Sequence, residues 1–303
     1  MRDVLDGPVL VACSGGADSL ALAAAVAFEA PRRQIPAGLI TIDHGLQSGS
    51  AEQADRIASL GYEFGMDPVE LVRVSVGTAG GPEAAARTAR YRALQSAAEA
   101  LDRDVLLGHT LDDQAETVLL GLGRGSGPRS IAGMRIRSGR FVRPLLSVRR
   151  ETTVAACAAL GLEPWRDPHN DDPSFQRVRL RREVLPLLED VLHGGVADAL
   201  ARTAALLQDD LDALDALVAP DRGTADDGLE VRALAALPKA LRTRTLRSWA
   251  RSLRADPLAR VHLAALDALV TDWHGQGPVD LPGGAQARRV SGRIVGKPAD
   301  GPE

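Results

Sequence analysis

Ser14-Gly15-Gly16-Ala17-Asp18-Ser19 follows one apolar run, Val9–Cys13, and leads straight into another, Leu20–Phe28. A strand, a tight turn and a helix in that order leave backbone N–H groups unpaired at the positive end of a helix dipole, which makes an anion site. Two glycines let an anion approach the backbone, and Ser14 and Ser19 add hydroxyl donors. No lysine follows the glycines, which excludes the Walker-type loop that grips a transferable γ-phosphate. A second group is Gly108-His109-Thr110-Leu111-Asp112-Asp113-Gln114-Ala115-Glu116-Thr117. Asp113 and Glu116 are three apart at a predicted helix start, so they share a face that can hold an amine or a metal, and His109 can contact a phosphate. The same residues also suit a plain helix start, with Asp112 or Asp113 as the cap and Glu116 closing a capping box.

Gly81 to Tyr91 opens a further helix with Pro82 at its first position. Glu83, Arg87 and Arg90 fall on one face of it, where a solvated Glu–Arg pair is the simplest reading. Arg124-Gly125-Ser126-Gly127 is a flexible basic loop suited to phosphate. Arg143-Pro144-Leu145-Leu146 and Trp165-Arg166-Asp167-Pro168-His169-Asn170 then precede an arginine cluster at Arg177, Arg179, Arg181 and Arg182.

These groups need a frame. Predicted strands are Val9–Cys13, Gly38–Ile42, Val69–Val74, Val105–Leu107 and Ile136–Val142. Predicted helices lie near Leu20–Phe28, Ala51–Phe64, Glu83–Leu101, Asp113–Leu122 and Arg149–Leu160. Alternating β and α predicts an α/β fold, a parallel sheet flanked by helices. Ligands of such folds sit past the C-terminal strand ends where strand order reverses, and the turns at Ser14–Ser19, Asp43–Gly45 and Gly108–His109 would gather there. From Val184 the texture turns helical. Stripes such as Leu200–Thr203–Leu207–Leu211, Leu241–Thr245–Trp249–Leu253 and Val261–Ala265–Leu269–Trp273 read as core. A Pro-Gly-Gly turn within Val279–Val295 predicts a small hairpin. The expected division is 1–187 as a catalytic domain and 188–303 as a mostly helical one.

With 303 residues and 45% hydrophobic content, two domains with adequate cores are expected. No apolar run is long enough to span a bilayer. The N-terminus, with Asp3 and Asp6, does not resemble a signal peptide. Cys13 and Cys157 form no C-x-x-C pair, which argues against a disulfide framework or a cysteine metal site and suits a cytoplasmic setting. A net charge of −4 argues by itself against a nucleic-acid partner. The distribution reverses that: Arg124–Arg182 holds 13 Arg against 5 acids, and Lys239–Arg260 holds 7 basic residues against one acid. Such blocks build a local positive field that the net charge conceals.

Taken together, SGGADS, GPEAAARTARY, GHTLDDQAETVLLGLGRGSG, RPLL and WRDPHN, in that order over residues 8 to 182, resemble the tRNA(Ile)-lysidine synthetases. These form a branch of the PP-loop ATP-pyrophosphatase family. The resemblance implies that ATP adenylates O2 of the wobble cytidine of a tRNA(Ile) with a CAU anticodon, releasing pyrophosphate. The ε-amine of L-lysine then attacks C2 and displaces AMP, with Mg2+ accompanying the nucleotide. It implies that Ser14, Gly15, Gly16, Ala17, Asp18 and Ser19 bind ATP, with Asp18 orienting the loop or meeting the magnesium. Asp113 and Glu116 would receive the lysine amine, and Arg87 and His109 would lie against the reacting base or phosphate. Arg124, Arg143, Arg177, Arg179, Arg181 and Arg182 would meet tRNA phosphates, making binding fall steeply with salt.

The chain departs from the family where His169 and Val178 stand, at positions often held by Ser or Thr and by Asn. Its length matches a shorter form with one C-terminal domain. A homodimer is left open. Three other readings compete: a PP-loop tRNA thiolase, which needs catalytic or cluster-binding cysteines, usually paired, that this chain lacks; a PP-loop amidotransferase or ligase acting on a small metabolite, for which the basic segments would be idle; and a non-enzymatic adenine-nucleotide sensor, in which Asp113 and Glu116 would serve only as caps.

Overall fold

A computed structural model describes residues 5–43, 45, 49–75, 77, 82–125, 127–165, 172–218 and 228–299, with the side chains of 82–84 outside the description. It divides into two compact units, Met1–Ala205 and Leu206–Glu303.

The first unit runs β1 Val9–Ala12, α1 Ala17–Arg32, β2 Ala37–Asp43, α2 Ser50–Glu63, β3 Val69–Arg73, α3 Pro82–Ala100, β4 Asp104–Leu107 and α4 Leu111–Arg124. It continues through α5 Pro128–Ile131, β5 Arg137–Ser138, β6 Phe141–Val142, α6 Arg150–Ala159, α7 Gln176–Arg179, a π-helical turn Leu180–Val184, α8 Leu185–Val191 and α9 Val196–Ala216, in which the division falls. The sheet order is β3-β2-β1-β4-β6-β5. All neighbours are parallel except β5 and β6. The predicted single strand Ile136–Val142 is therefore a short antiparallel pair, because Gly139 takes φ 58° and reverses the chain.

Alternation along β1 sets the layers. Val9, Val11 and Cys13 enter one core with Leu20, Leu22, Val26 and Cys157, beneath α1 and α6. Leu10 enters the opposite core with Leu94 and Ala98 of α3. Strand order reverses between β1 and β4, so the turns after those two strands flank the switch point. Gly108 makes that approach tight. A Cβ there would stand 3.0 Å from backbone atoms of Asp18 and Ser19, so only glycine lets the β4 turn lie on the start of α1.

The second unit holds the rest of α9, then β7 Leu229–Glu230, α10 Val231–Ala235, α11 Lys239–Ser252, α12 Arg260–Thr271, β8 Val279–Asp280, β9 Gln286–Val290 and β10 Arg293–Lys297. The predicted hairpin is part of a four-stranded antiparallel sheet ordered β7-β10-β9-β8. Its core includes Leu246, Trp249, Leu253, Leu266, Leu269 and Ile294. The stripe expected along α12 holds only at Leu269: Val261 is exposed, as is Trp273 just past the helix, and the buried residues are Leu263, Leu266, Leu269 and Val270. A strict spacing of four drifts round a 3.6-residue helix, whereas mixed threes and fours stay on one side. No described helix is long and apolar enough to cross a membrane.

Candidate active site

The loop after β1 is held shut from within. Gly15 takes φ 86°, and Gly16 takes the N-cap position of α1 in extended geometry. The Ser14 N–H donates to Ser19 Oγ (3.2 Å), and Ser19 Oγ donates to the Gly16 carbonyl (2.9 Å). Ser19 is buried, so its hydroxyl locks the loop, whereas Ser14 is exposed with Oγ 3.3 Å from Ser19 Oγ. Among the described residues no side-chain hydrogen bond caps α1, which leaves first-turn N–H groups available to an anion. The Trp165 N–H donates to the Gly15 carbonyl (2.9 Å), bringing the start of the WRDPHN segment onto the loop. His169 lies outside the described residues, and Val178 is buried.

Asp18 faces α6. Its Oδ2 accepts from Arg150 Nε (3.0 Å) and its Oδ1 from Thr153 Oγ1. Arg150 also donates from Nη2 to Asp113 Oδ1 (2.6 Å), so one guanidinium ties the starts of α1 and α4 together. Thr110, not an aspartate, is the N-cap of α4. Asp113 closes the capping box, its Oδ2 accepting from the Thr110 N–H (2.8 Å) and Oγ1 (2.9 Å). Glu116 lies beyond the box and has no exposed side-chain surface. Burial raises the Asp113 carboxyl, but Arg150, the Thr110 N–H and His109 outweigh it and hold it below the ordinary range.

His109 is pushed down to about 4, first by burial and then by Arg143, Arg90 and Arg87, against the pull of Asp113. Arg87 and Arg90 both lie by Tyr91, at 5.0 Å and 5.6 Å from its ring centroid, and Tyr91 meets Phe141 edge-on. The side chain of Glu83 is outside the description. Three buried nitrogens here have no hydrogen-bond partner among the described residues: His109 Nδ1, Arg143 Nε and Arg150 Nη1. Buried polar groups are almost always satisfied, so these nitrogens are free to meet water or a bound ligand.

The neutral His109 has a measurable consequence. An unfolded histidine binds a proton below about pH 6.5, and this one in the folded protein only near 4. The unfolded chain therefore binds more protons across that window, and stability falls as pH drops through it, by on the order of 3 kcal/mol. His109→Gln should flatten that part of the urea-midpoint profile. An unchanged slope would place the acid sensitivity elsewhere.

The arginines expected on tRNA phosphates divide. Arg177 and Arg181 turn inward onto Glu116. Arg143 is buried, with Nη1 on the Arg135 carbonyl (3.0 Å), and Arg179 pairs with Glu183 (2.9 Å) on the surface. Arg124 and Arg182 are exposed.

Comparison with known proteins agrees in both units. The PP-loop domain family matches residues 2–188, and the TilS substrate binding domain family matches residues 229–295. The tRNA(Ile)-lysidine synthase of Thermobifida fusca is 56% identical over 302 residues, covering 97% of this chain and 93% of that protein. The chain belongs to the tRNA(Ile)-lysidine synthase family. Its lysidine synthase relatives include that of Salinispora tropica, 57% identical over 300 residues (95% of this chain, 90% of that protein). Another, from Mycobacterium tuberculosis, is 51% identical over 293 residues, or 94% and 88%. The U34-tRNA thiolase NcsA from Methanococcus maripaludis shares the fold, with TM-score 0.56 and 21% identity over 69% of this chain and 74% of that one.

In this lysidine synthase family member Arg150 and Thr153 meet Asp18 beside the loop, and neither stands in the sequence motifs. One signal was present for Arg150: two arginines in succession at a helix start oppose the macrodipole and need a counter-charge. Asp18 is a poor metal ligand as placed, since both its oxygens carry donors. No group of three or more His, Cys, Asp or Glu among the described residues is arranged to hold a metal. Magnesium characteristically keeps several waters and rides on substrate phosphates, so ATP itself would bring it.

Proposed function

We propose that this protein converts the wobble cytidine of tRNA(Ile) with a CAU anticodon into lysidine, using ATP and L-lysine. The observation that carries the reading is a convergence at the switch point. Asp18 at the uncapped start of α1 shares Arg150 with Asp113 and Glu116, and His109, which follows the Gly108 turn packed on that start, faces Asp113 and Arg143. In the first step O2 of cytosine attacks the α-phosphorus of ATP and pyrophosphate leaves. The first-turn N–H groups of α1, with Gly15, Gly16 and Ser14 Oγ, are donors fixed in advance for its growing negative charge. Arg143, Arg150 and neutral His109 supply donors to the adenylate oxygens. In the second step the lysine amine, received beside Asp113 and Glu116, bonds to C2 as the C2–O2 bond breaks and AMP departs. Arg124 and Arg182 are exposed for RNA phosphates, and a single-stranded anticodon base can enter a pocket without breaking a duplex.

The test separates the two steps. With ATP labelled at the α-phosphate and no lysine, label should pass to tRNA(Ile) as pyrophosphate appears. Adding lysine should then release the label as AMP. Pyrophosphate formation without RNA, or label that lysine does not release, would contradict this sequence of events.

A further inference from the structure

Glu116 is fully enclosed, and three guanidiniums surround it. Arg181 Nε is 2.8 Å from Oε1, Arg177 Nη1 is 3.4 Å from Oε2, and Arg150 Nη1 is 3.7 Å from Oε1. Asp113 Oδ1 faces Arg150 at 2.6 Å and Arg181 at 3.8 Å, and Asp18 Oδ2 faces Arg150 at 3.0 Å. Three carboxylates from α1 and α4 thus meet three guanidiniums from α6, α7 and the π-helical turn. Asp112, whose Oδ2 accepts from the Arg150 N–H (2.7 Å), is matched by Arg149 at 3.2 Å, so among the described residues the groups flanking the cluster add no unmatched negative charge. His109, from the turn after β4, is neutral at pH 7, and Arg143, Arg87 and Arg90 are cations. An ammonium entering here meets carboxylates that are already matched, within a positive surround that disfavours its charged form. Only the neutral amine has the lone pair that can attack C2.

We propose that Arg181, assisted by Arg177, holds Glu116 as a matched counter-ion so that the lysine amine is bound uncharged. The inference rests on the reading that Asp113 and Glu116 form the amine subsite. Both arginines are positioning residues: Arg177 is steadied by a bond from Nη2 to Thr117 Oγ1 (3.4 Å), and Arg181 sits on a π-helical turn, a feature frequent at functional sites. The ammonium gives one proton to solvent as it enters. The nitrogen lone pair then bonds to C2, the C2–O2 pair leaves with AMP, and one of the two remaining amine protons departs after attack. The carboxylates orient the amine through its N–H groups and need not take up its charge.

The experiment measures kcat and KM for L-lysine from pH 7 to 9 at saturating ATP and tRNA, for wild type, Arg181→Gln, Arg181→Lys and Glu116→Gln. For wild type, KM expressed as total lysine should fall about tenfold per pH unit, because the neutral fraction of an amine with pKa near 10.4 rises tenfold per unit. Arg181→Gln leaves Glu116 under-compensated, so lysine should bind as ammonium: KM at pH 7 should fall about tenfold, its pH slope should flatten and kcat should drop. Arg181→Lys should keep the wild-type slope. A flat wild-type KM would overturn the inference even if no variant folds. So would an Arg181→Gln enzyme whose KM rises with the slope retained, as for a merely structural arginine. Lysine KM unchanged in Glu116→Gln would instead sink the subsite reading on which the inference stands.

Discussion

Arg150→Met is expected to destabilise the catalytic unit by about 3 kcal/mol and to remove adenylation, because it leaves three carboxylates short of their shared cation. The methionine keeps much of the side-chain volume, so the effect isolates charge and hydrogen bonding from packing. Asp18 and Asp113 lie on different helices, and Arg150 reaches both, with Nε on one and Nη2 on the other. Without it Glu116 retains Arg177 and Arg181, while Asp18 retains, among the described residues, the Thr153 hydroxyl. An unmatched, mostly buried carboxylate either takes up a proton or draws in water, and either response moves the start of α1. Arg150→Lys restores one positive charge but not the planar fork, so it should recover stability better than activity. Urea midpoints and tRNA-dependent pyrophosphate release check both arms. A fully stable, fully active Arg150→Met protein would show that the cluster is not what holds the loop.

Gly15→Ala should lower kcat/KM for ATP by on the order of a hundredfold while the protein stays folded, since misplacing a reactive group by about 1 Å costs that much. Two effects act at this residue. Its φ of 86° lies in the left-handed region, which disfavours any residue with a Cβ by roughly 1–2 kcal/mol. The added Cβ would also stand 2.2 Å from Gln53 Nε2 and 3.2 Å from Ile57 Cδ1. The Gln53 amide is the free end of a flexible side chain and can swing away, so the clash is the smaller cause. Adding Gln53→Ala to Gly15→Ala should therefore restore little activity. Wild-type ATP kinetics in Gly15→Ala would mean that the loop does not cradle the triphosphate.

The features legible in the sequence were those that local spacing determines. The Ser14–Ser19 turn between two apolar runs reports its geometry within about a dozen residues, and the parallel frame is legible from the repeated alternation of strand and helix along the first unit. The charge partners were less visible. Asp18 and Arg150 are 132 positions apart, and Glu116 and Arg181 are 65 apart. Nothing short of the folded sheet edge and the helices over it says which arginine meets which acid. The inward turn of Arg177 and Arg181 is the clearest case. A run of arginines read along the chain suggests an RNA-facing surface, yet the buried Glu116 of α4 takes two of its members. The helix start at Thr110 was missed for a different reason: three polar residues in four positions all suit a cap, and only backbone geometry selects the threonine.

The central claim is that this switch-point site joins lysine to an RNA base. The direct measurement incubates the protein with ATP, magnesium, L-lysine and tRNA(Ile) bearing the CAU anticodon, then reads the anticodon fragment by mass spectrometry. The expected product carries, on the wobble cytidine alone, the added mass of one lysine less one water. An unmodified cytidine, with folded protein and intact tRNA, would contradict the account.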